Sequence, residues 1–269
     1  MTCFSNFDFS KSSLCESIIM ASKMIRKDFP SEIVISDLRL KVEEAKDYVF
    51  SEEQPYLKLK KLIKLFYQDW KFKCASGVYK LSDTLWLDYV LQTRRGTAVS
   101  LGMIILYIAQ QLDLPLVPVI FPTQLILRFD SCNGKKWLIN PFNGDILNKH
   151  ILTVWLKGSI SPTAELYSNY LNQARSLEVV RKILDTLKIA LMEEKNMELA
   201  LNVSNFLLKL DPKNPYEIRD RGLIYAQLEC NHVALADLIY FVENCPEDPI
   251  SEIIKIQIHS MQQKKIILH

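Results

Sequence analysis

Three residues of the central stretch invite a chemical reading: Ser100, Gln124 and Asn140. Ser100, with Ala98 before it, lies at the start of a predicted helix, where unpaired backbone N–H groups favour a developing anion. Gln124 and Asn140 fall on the second and third of three predicted strands. A hydroxyl or thiol nucleophile needs a base within hydrogen-bond reach, and the base needs an orienting partner. Gln124 accepts no proton near neutral pH, and Asn140 supplies no charge to hold an imidazolium. No histidine precedes His150, so no imidazole base comes from the first half of the chain. The expectation is therefore that no residue is catalytic, and that Gln124 and Asn140 hydrogen-bond each other or nearby backbone.

The remaining reactive side chains form no constellation. His150, His232, His259 and His269 are scattered singly without metal-ligand spacing, so no metal site is expected. The cysteines, Cys3, Cys15, Cys74, Cys132, Cys230 and Cys245, include no C-x-x-C pair and no disulfide framework. Free buried thiols in a reducing cytoplasm are the natural reading. No Gly-rich phosphate loop occurs among the 7 glycines, and no cofactor is expected. The start, MTCFSNFDFSKSS, lacks the basic and apolar order of a secretory signal. The densest apolar stretch, from Ala98 to Ala109, is too short to span a bilayer.

The elements that must position these residues read as helix-rich α+β. Leu14, Ile18, Ala21 and Ile25 define one helix, which ends by Pro30. A second is expected from Ser36 to Phe50. A third starts near Pro55, with Leu59, Leu62, Ile63, Phe66 and Trp70 as its stripe. A fourth runs from about Ser82 to Thr93. Thr97 caps the central helix, whose stripe is Leu101, Ile104, Ile105, Ile108 and Leu112; Pro115 ends it. The strands LVPVIF, QLILRF and KWLINPF follow, the last two joined by a hairpin at Asn133-Gly134. A three-stranded antiparallel sheet on this helix buries both apolar faces.

A repeat appears further on. Pro212 and Pro215 recur as Pro246 and Pro249, each 34 residues later, which is the tetratricopeptide period. Counted from Pro215, the residues Gly222, Tyr225, Ala234 and Pro246 fall where that motif places Gly, an aromatic, Ala and Pro. Two units are expected, at about 181–214 and 215–248, the first less well matched. The domains are then 1–158, with the sheet at about 114–142, and an α-helical region at 162–269.

The helix followed by three strands resembles the core of transglutaminase-like and papain-like enzymes. Those enzymes place Cys at the helix start, His on the second strand and Asp on the third. More narrowly, the chain resembles the bacterial SirB-type (YchA-like) proteins, which join a transglutaminase-like domain to tetratricopeptide repeats. The likeness covers about residues 10 to 250. It rests on Leu85 to Leu91 before Arg94-Arg95-Gly96, Ser100-Leu101, Leu125 to Phe129, Asn140-Pro141-Phe142-Asn143-Gly144 and Arg219-Asp220-Arg221-Gly222, followed by Asp237-Leu238 and Cys245-Pro246. The resemblance makes Ser100, Gln124 and Asn140 vestigial slots, since this chain also departs from the family's usual Gly-His and Asp-Pro-Phe.

The expected function is a non-catalytic cytoplasmic protein that binds a protein or peptide through its repeat helices or the vestigial cleft. The alternative is an acyl transferase or hydrolase with a replaced triad. Lys58, Lys60, Lys61, Lys64, Lys71 and Lys73 make the third helix basic, but Glu52, Glu53 and Asp69 compensate, and the formal net charge is only +2. Nucleic acid binding is disfavoured accordingly. Arg219, Asp220 and Arg221 are read as an intramolecular charge network rather than a partner contact.

Overall fold

The computed structural model describes residues 12–77 and 80–267, with side chains described as far as Gln263. The expectations placed on the N-terminal stretch, Cys3 and His269 lie outside the described residues. The chain divides into two compact units, Met1–Lys23 with Asp28–Ile183, and Met24–Lys27 with Leu184–His269.

The first unit opens with helices. Helix α1 (Leu14–Ile25) buries the predicted stripe of Leu14, Ile18, Ala21 and Ile25. Helix α2 (Ser31–Val49) begins five residues before the expected Ser36, because Val34 extends the buried stripe by one turn and Glu32 suits the first turn. Helix α3 starts at Pro55 and runs to Lys64; a π-helical turn, Leu65–Asp69, then buries Leu65 beside Phe66. The expected fourth helix splits into a 3₁₀ turn, Ser82–Thr84, and α4 (Leu87–Thr93), with Trp86 extended between them. Arg94 adopts a left-handed conformation that ends α4, and its guanidinium donates to the Trp70 carbonyl at 2.8 Å. Two short parallel strands, β1 (Lys73–Cys74) and β2 (Arg95–Gly96), close this region.

The central unit is α5 (Ala98–Gln111) and a four-stranded antiparallel sheet: β3 (Leu116–Ile120), β4 (Leu125–Asp130), β5 (Lys136–Ile139) and β6 (Ile146–Leu147), in that order. Gly134 adopts positive φ in the β4–β5 turn, as Asn133-Gly134 predicted. The sheet has one strand more than expected. Asn140 to Gly144 form a tight turn, with the Gly144 N–H donating to the Asn140 carbonyl, and this returns the chain to pair Ile146 with Ile139. Helix α6 (Lys149–Ser159) was not expected; Asn148 caps it by accepting from the Ile151 N–H at 2.9 Å. Ile126 and Val119, paired across β4 and β3, pack with Leu152 and Leu156 of α6. Leu125, Leu127 and Phe129 point to the other face, toward α5. Strand β4 is thus buried on both sides.

In the second unit the helices α8 (Met197–Leu210), α9 (Pro215–Gln227), α10 (Asn231–Asn244) and α11 (Pro249–Ile267) follow α7 (Ser176–Glu193), whose sequence crosses the division between units. Pro215 and Pro249 each open a helix, as their shared place in the repeat demands.

Candidate functional site

Ser100 is the third residue of α5, and its side chain is fully buried. Its N–H donates to Thr97 Oγ1, and its Oγ accepts from the Thr97 N–H at 2.9 Å, a reciprocal cap. The same Oγ donates to the Thr84 carbonyl at 2.7 Å. The hydroxyl is therefore saturated by local structure. Its direction matters equally. Two residues on, Gly102 is where α5 meets the sheet: a Cβ there would lie 2.9 Å from the Leu125 side chain and 3.4 Å from that of Pro141. These are the neighbours of Gln124 and Asn140. Residues two apart on a helix lie on nearly opposite sides. Ser100 thus faces Thr84, away from the strand ends. Ala98, one turn before Gly102, is the helix-start residue on the sheet side, and it is buried.

Gln124 and Asn140 do not hydrogen-bond each other. Gln124 Nε2 is buried without a partner among the described residues, as is the neighbouring Thr123 Oγ1. Asn140 Oδ1 instead accepts from the Phe142 N–H at 3.1 Å, within its own turn. Of the two bonding arrangements expected, Asn140 takes the local backbone one and the side chain of Gln124 takes neither. Both residues flank the β4–β5 ladder rather than lying in it, since that ladder begins at Leu127 opposite Ile139. The turn after Asn140 is held from outside. Tyr67 donates its hydroxyl to the Pro141 carbonyl, and burial first, then Asp145, raise its pKa, so it stays a donor. Sequence reasoning missed Tyr67, because its role depends on a partner 74 residues away.

The other candidates remain apart. His150, His232 and His259 are exposed, and the described residues contain no cluster of three or more metal-ligating side chains. The thiols are free, but burial is not general. Cys15 is buried and its pKa is pushed up to about 12, by burial and then by Glu16. Cys74, Cys132 and Cys230, however, are exposed free thiols, because they lie at a strand end, in a hairpin turn and at a helix cap rather than on a packed face. On the basic helix, Lys60 lies over the Tyr56 ring, which stacks on Trp137, and Lys135 covers the Trp137 ring at 4.0 Å. Both ends of that aromatic stack are occupied, which leaves no open ring face for a nucleobase.

In the repeat unit, Arg221 makes a two-pronged pair with Asp237 at 2.7 Å, and Arg219 pairs with Asp220. Asp220 in turn meets Lys188, which is buried and also bonded to Glu217; Ser204 donates to the other Glu217 oxygen at 2.7 Å. The Arg219-Asp220-Arg221 run is thus built into an intramolecular network joining α7, α8, α9 and α10. Burial works against the Lys188 charge, but Asp220 and Glu217 outweigh it and hold its pKa above the ordinary lysine value. Gly222 lies at a close crossing, with the Asp237 and Leu238 side chains 3.0 Å from where its Cβ would be.

These two architectures match separate family models. A model described as transglutaminase-like superfamily covers residues 32–185, and one described as tetratricopeptide repeat covers residues 187–259. The fold is therefore that of a transglutaminase-like unit followed by tetratricopeptide repeats. Over 100% of both chains, the sequence is 75% identical to a UPF0162 protein of Buchnera aphidicola subsp. Baizongia pistaciae. It is 58% identical, again over 100% of both chains, to protein SirB1 of Salmonella typhimurium and to YchA of Escherichia coli K12. The chain belongs to this SirB1/YchA (UPF0162) family. No helix among the described residues is long and apolar enough to cross a membrane.

Proposed function

We propose that this protein is a non-catalytic binding protein of the cytoplasm, whose transglutaminase-like core has lost its chemistry and whose repeat helices engage a protein or peptide. One observation carries the first half. Ala98, one turn before the Gly102 that meets the sheet, offers only a methyl group, while the hydroxyl of Ser100 is buried and bonded to the Thr84 carbonyl. Neither Gln124 nor Asn140 can serve as a base. Tetratricopeptide units supply the second half, since stacked helix pairs expose extended binding surfaces. Five free cysteines among the described residues support a reducing compartment.

The test is incubation of the whole chain with p-nitrophenyl acetate, followed by stopped-flow absorbance and intact mass. The expected result is no burst and no acyl adduct on Ser100. A burst that disappears in Ser100→Ala would establish the alternative, an acyl transferase or hydrolase with a replaced triad.

A further inference from the structure

Arg128 interrupts an otherwise apolar run on β4. It falls between Leu127 and Phe129, so it stands on the α6 side of the sheet with Ile126, opposite α5. The register sets it in one row with Leu138 of β5 and Leu147 of β6, and the next row pairs Asp130 with Lys136. Leu152 and Leu156 of α6 pack over Val119 and Ile126 on this face. Beside the earlier α6 residues Lys149 and Thr153 a cavity of about 710 Å³ stays open, bounded also by Leu166, Leu171 and Asn172 of the segment that follows the helix. Leu138, Leu147, Leu166 and Leu171 give it an apolar lining.

The charges in that lining have one sign. Arg128, Lys136 and Lys149 are present and no carboxylate is. Arg128 is buried and held: its Nε and Nη2 donate to the two Asp130 oxygens at 2.8 and 2.7 Å, and its Nη1 donates to the Leu171 carbonyl at 2.6 Å. This fork fastens the segment after α6 to the sheet and so fixes two walls of the cavity. It also commits Asp130, the carboxylate opposite Lys136 in the ladder, to Arg128. Lys136 and Lys149 are exposed, and neither meets a carboxylate among the described residues. Two uncompensated ammonium groups therefore stand over an apolar chamber.

We infer that this cavity binds a small organic anion with an apolar body, its carboxylate or phosphate head between Lys136 and Lys149 and its body against the leucines. The volume falls within the roughly 300–1,000 Å³ of small-molecule sites and is too small for a folded partner. An ammonium group is a point charge that takes either head, so the two lysines select an anion without choosing between them. The cavity shares no residue with Ser100, Gln124 and Asn140 and lies on the sheet face opposite α5. The inference thus goes beyond the binding function proposed above and stands whether or not that reading holds.

Isothermal titration calorimetry of the full chain with octanoate, octyl phosphate, octylammonium and inorganic phosphate tests it. The expected result is binding of octanoate, octyl phosphate or both with a dissociation constant below ~1 mM, and none of octylammonium, which has the same body and the opposite charge. Octanoate alone identifies a carboxylate ligand and octyl phosphate alone a phosphate ester; both together show that the head is read by charge. Lys136→Glu with Lys149→Glu should weaken the binding by about tenfold or more, because like charge replaces both cations. Lys64→Glu with Lys157→Glu makes the same change in net charge at exposed lysines outside the cavity and should leave it unaltered. Both cavity lysines are exposed, so the circular dichroism should not change; Lys136→Ala with Lys149→Ala is a milder pair with the same direction. Failure of both octyl anions to bind overturns the inference, as does octylammonium binding equally well. So does inorganic phosphate matching octyl phosphate, since the apolar lining would then contribute nothing. Binding that responds no more to the cavity pair than to the Lys64 and Lys157 pair places the ligand elsewhere and overturns it too.

Discussion

In the central unit, Gln124 Nε2 and Thr123 Oγ1 are buried with no partner among the described residues, and Ser100 uses its hydroxyl to tie a helix start to Thr84. In the repeat unit, Lys188, Glu217, Ser204 and Asp220 form a closed set in which each charge meets its opposite. Both regions bury polar groups beside helix starts, but they use them differently. The first leaves the Gln124 and Thr123 side chains unpartnered among the described residues and absorbs Ser100 into capping. The second spends its buried charge on holding helices in register. Substitution should therefore be costly where the polar groups are paired and mild where they are left over.

The sharpest break is expected at Lys188. Lys188→Met leaves Glu217 and Asp220 without their shared cation, and removing one partner of a buried pair costs roughly 3–5 kcal/mol. Urea unfolding of the repeat unit measures this; pairing the change with Glu217→Gln should recover part of the loss. The pH dependence has a definite sign. Burial opposes the Lys188 charge, yet Asp220 and Glu217 leave its folded pKa above the ordinary 10.5. Its contribution is then fully present below pH 10.5 and lost as pH rises through the folded value. The wild-type chain should shed that stability in alkali, and Lys188→Met should lack this limb. A wild-type curve flat above pH 10.5 would contradict the charged pair.

Next comes Gly222→Leu. The Asp237 and Leu238 side chains stand 3.0 Å from the missing Cβ, so a branched side chain must push α9 from α10. Overpacking of this kind costs about 1–3 kcal/mol. A melting midpoint equal to wild type would count against the close crossing that defines the repeat. Ser100→Ala should follow at about 1–2 kcal/mol, from a lost cap and the lost hydrogen bond to the Thr84 carbonyl. A loss of stability accompanied by no loss of any acyl-transfer signal separates a capping role from a nucleophilic one.

What the sequence revealed and what it hid follow from range. Repeat prolines at Pro215 and Pro249, the Thr97 cap and the Asn133-Gly134 turn are local signals, and each stands where expected. Helix α6 was missed although Asn148 and the pattern of Ile151, Leu152, Trp155 and Leu156 announce it, because the preceding two-residue strand blurred the boundary. Side-chain direction was the harder matter. Ser100 and Ala98 were both visible at the helix start, but only the closeness of Gly102 to Leu125 and Pro141 shows which side of α5 faces the sheet. Likewise, that Gln124 and Asn140 ignore each other depends on where the β4–β5 ladder stops, which two separate strand patterns do not record.

The smallest expected effect is at Gln124, and it is the one that most directly separates an idle slot from a used one. Gln124 Nε2 makes no hydrogen bond to the described residues. Methionine has a similar length and no amide to desolvate, so Gln124→Met removes no protein hydrogen bond and relieves part of a burial penalty. Replacing an unpaired buried polar group by an apolar one of the same shape is nearly neutral or stabilising, here by up to about 1 kcal/mol. The neighbouring Thr123 supplies a matched control, since Thr123→Val deletes its unpartnered hydroxyl at constant shape and should behave the same way. Thermal melts of the two variants and their combination measure the effects. If Gln124→Met instead destabilises by more than Ser100→Ala, the amide has an occupant in solution. The cleft would then be a working binding site, and the contrast between the two units would fail at its central residue.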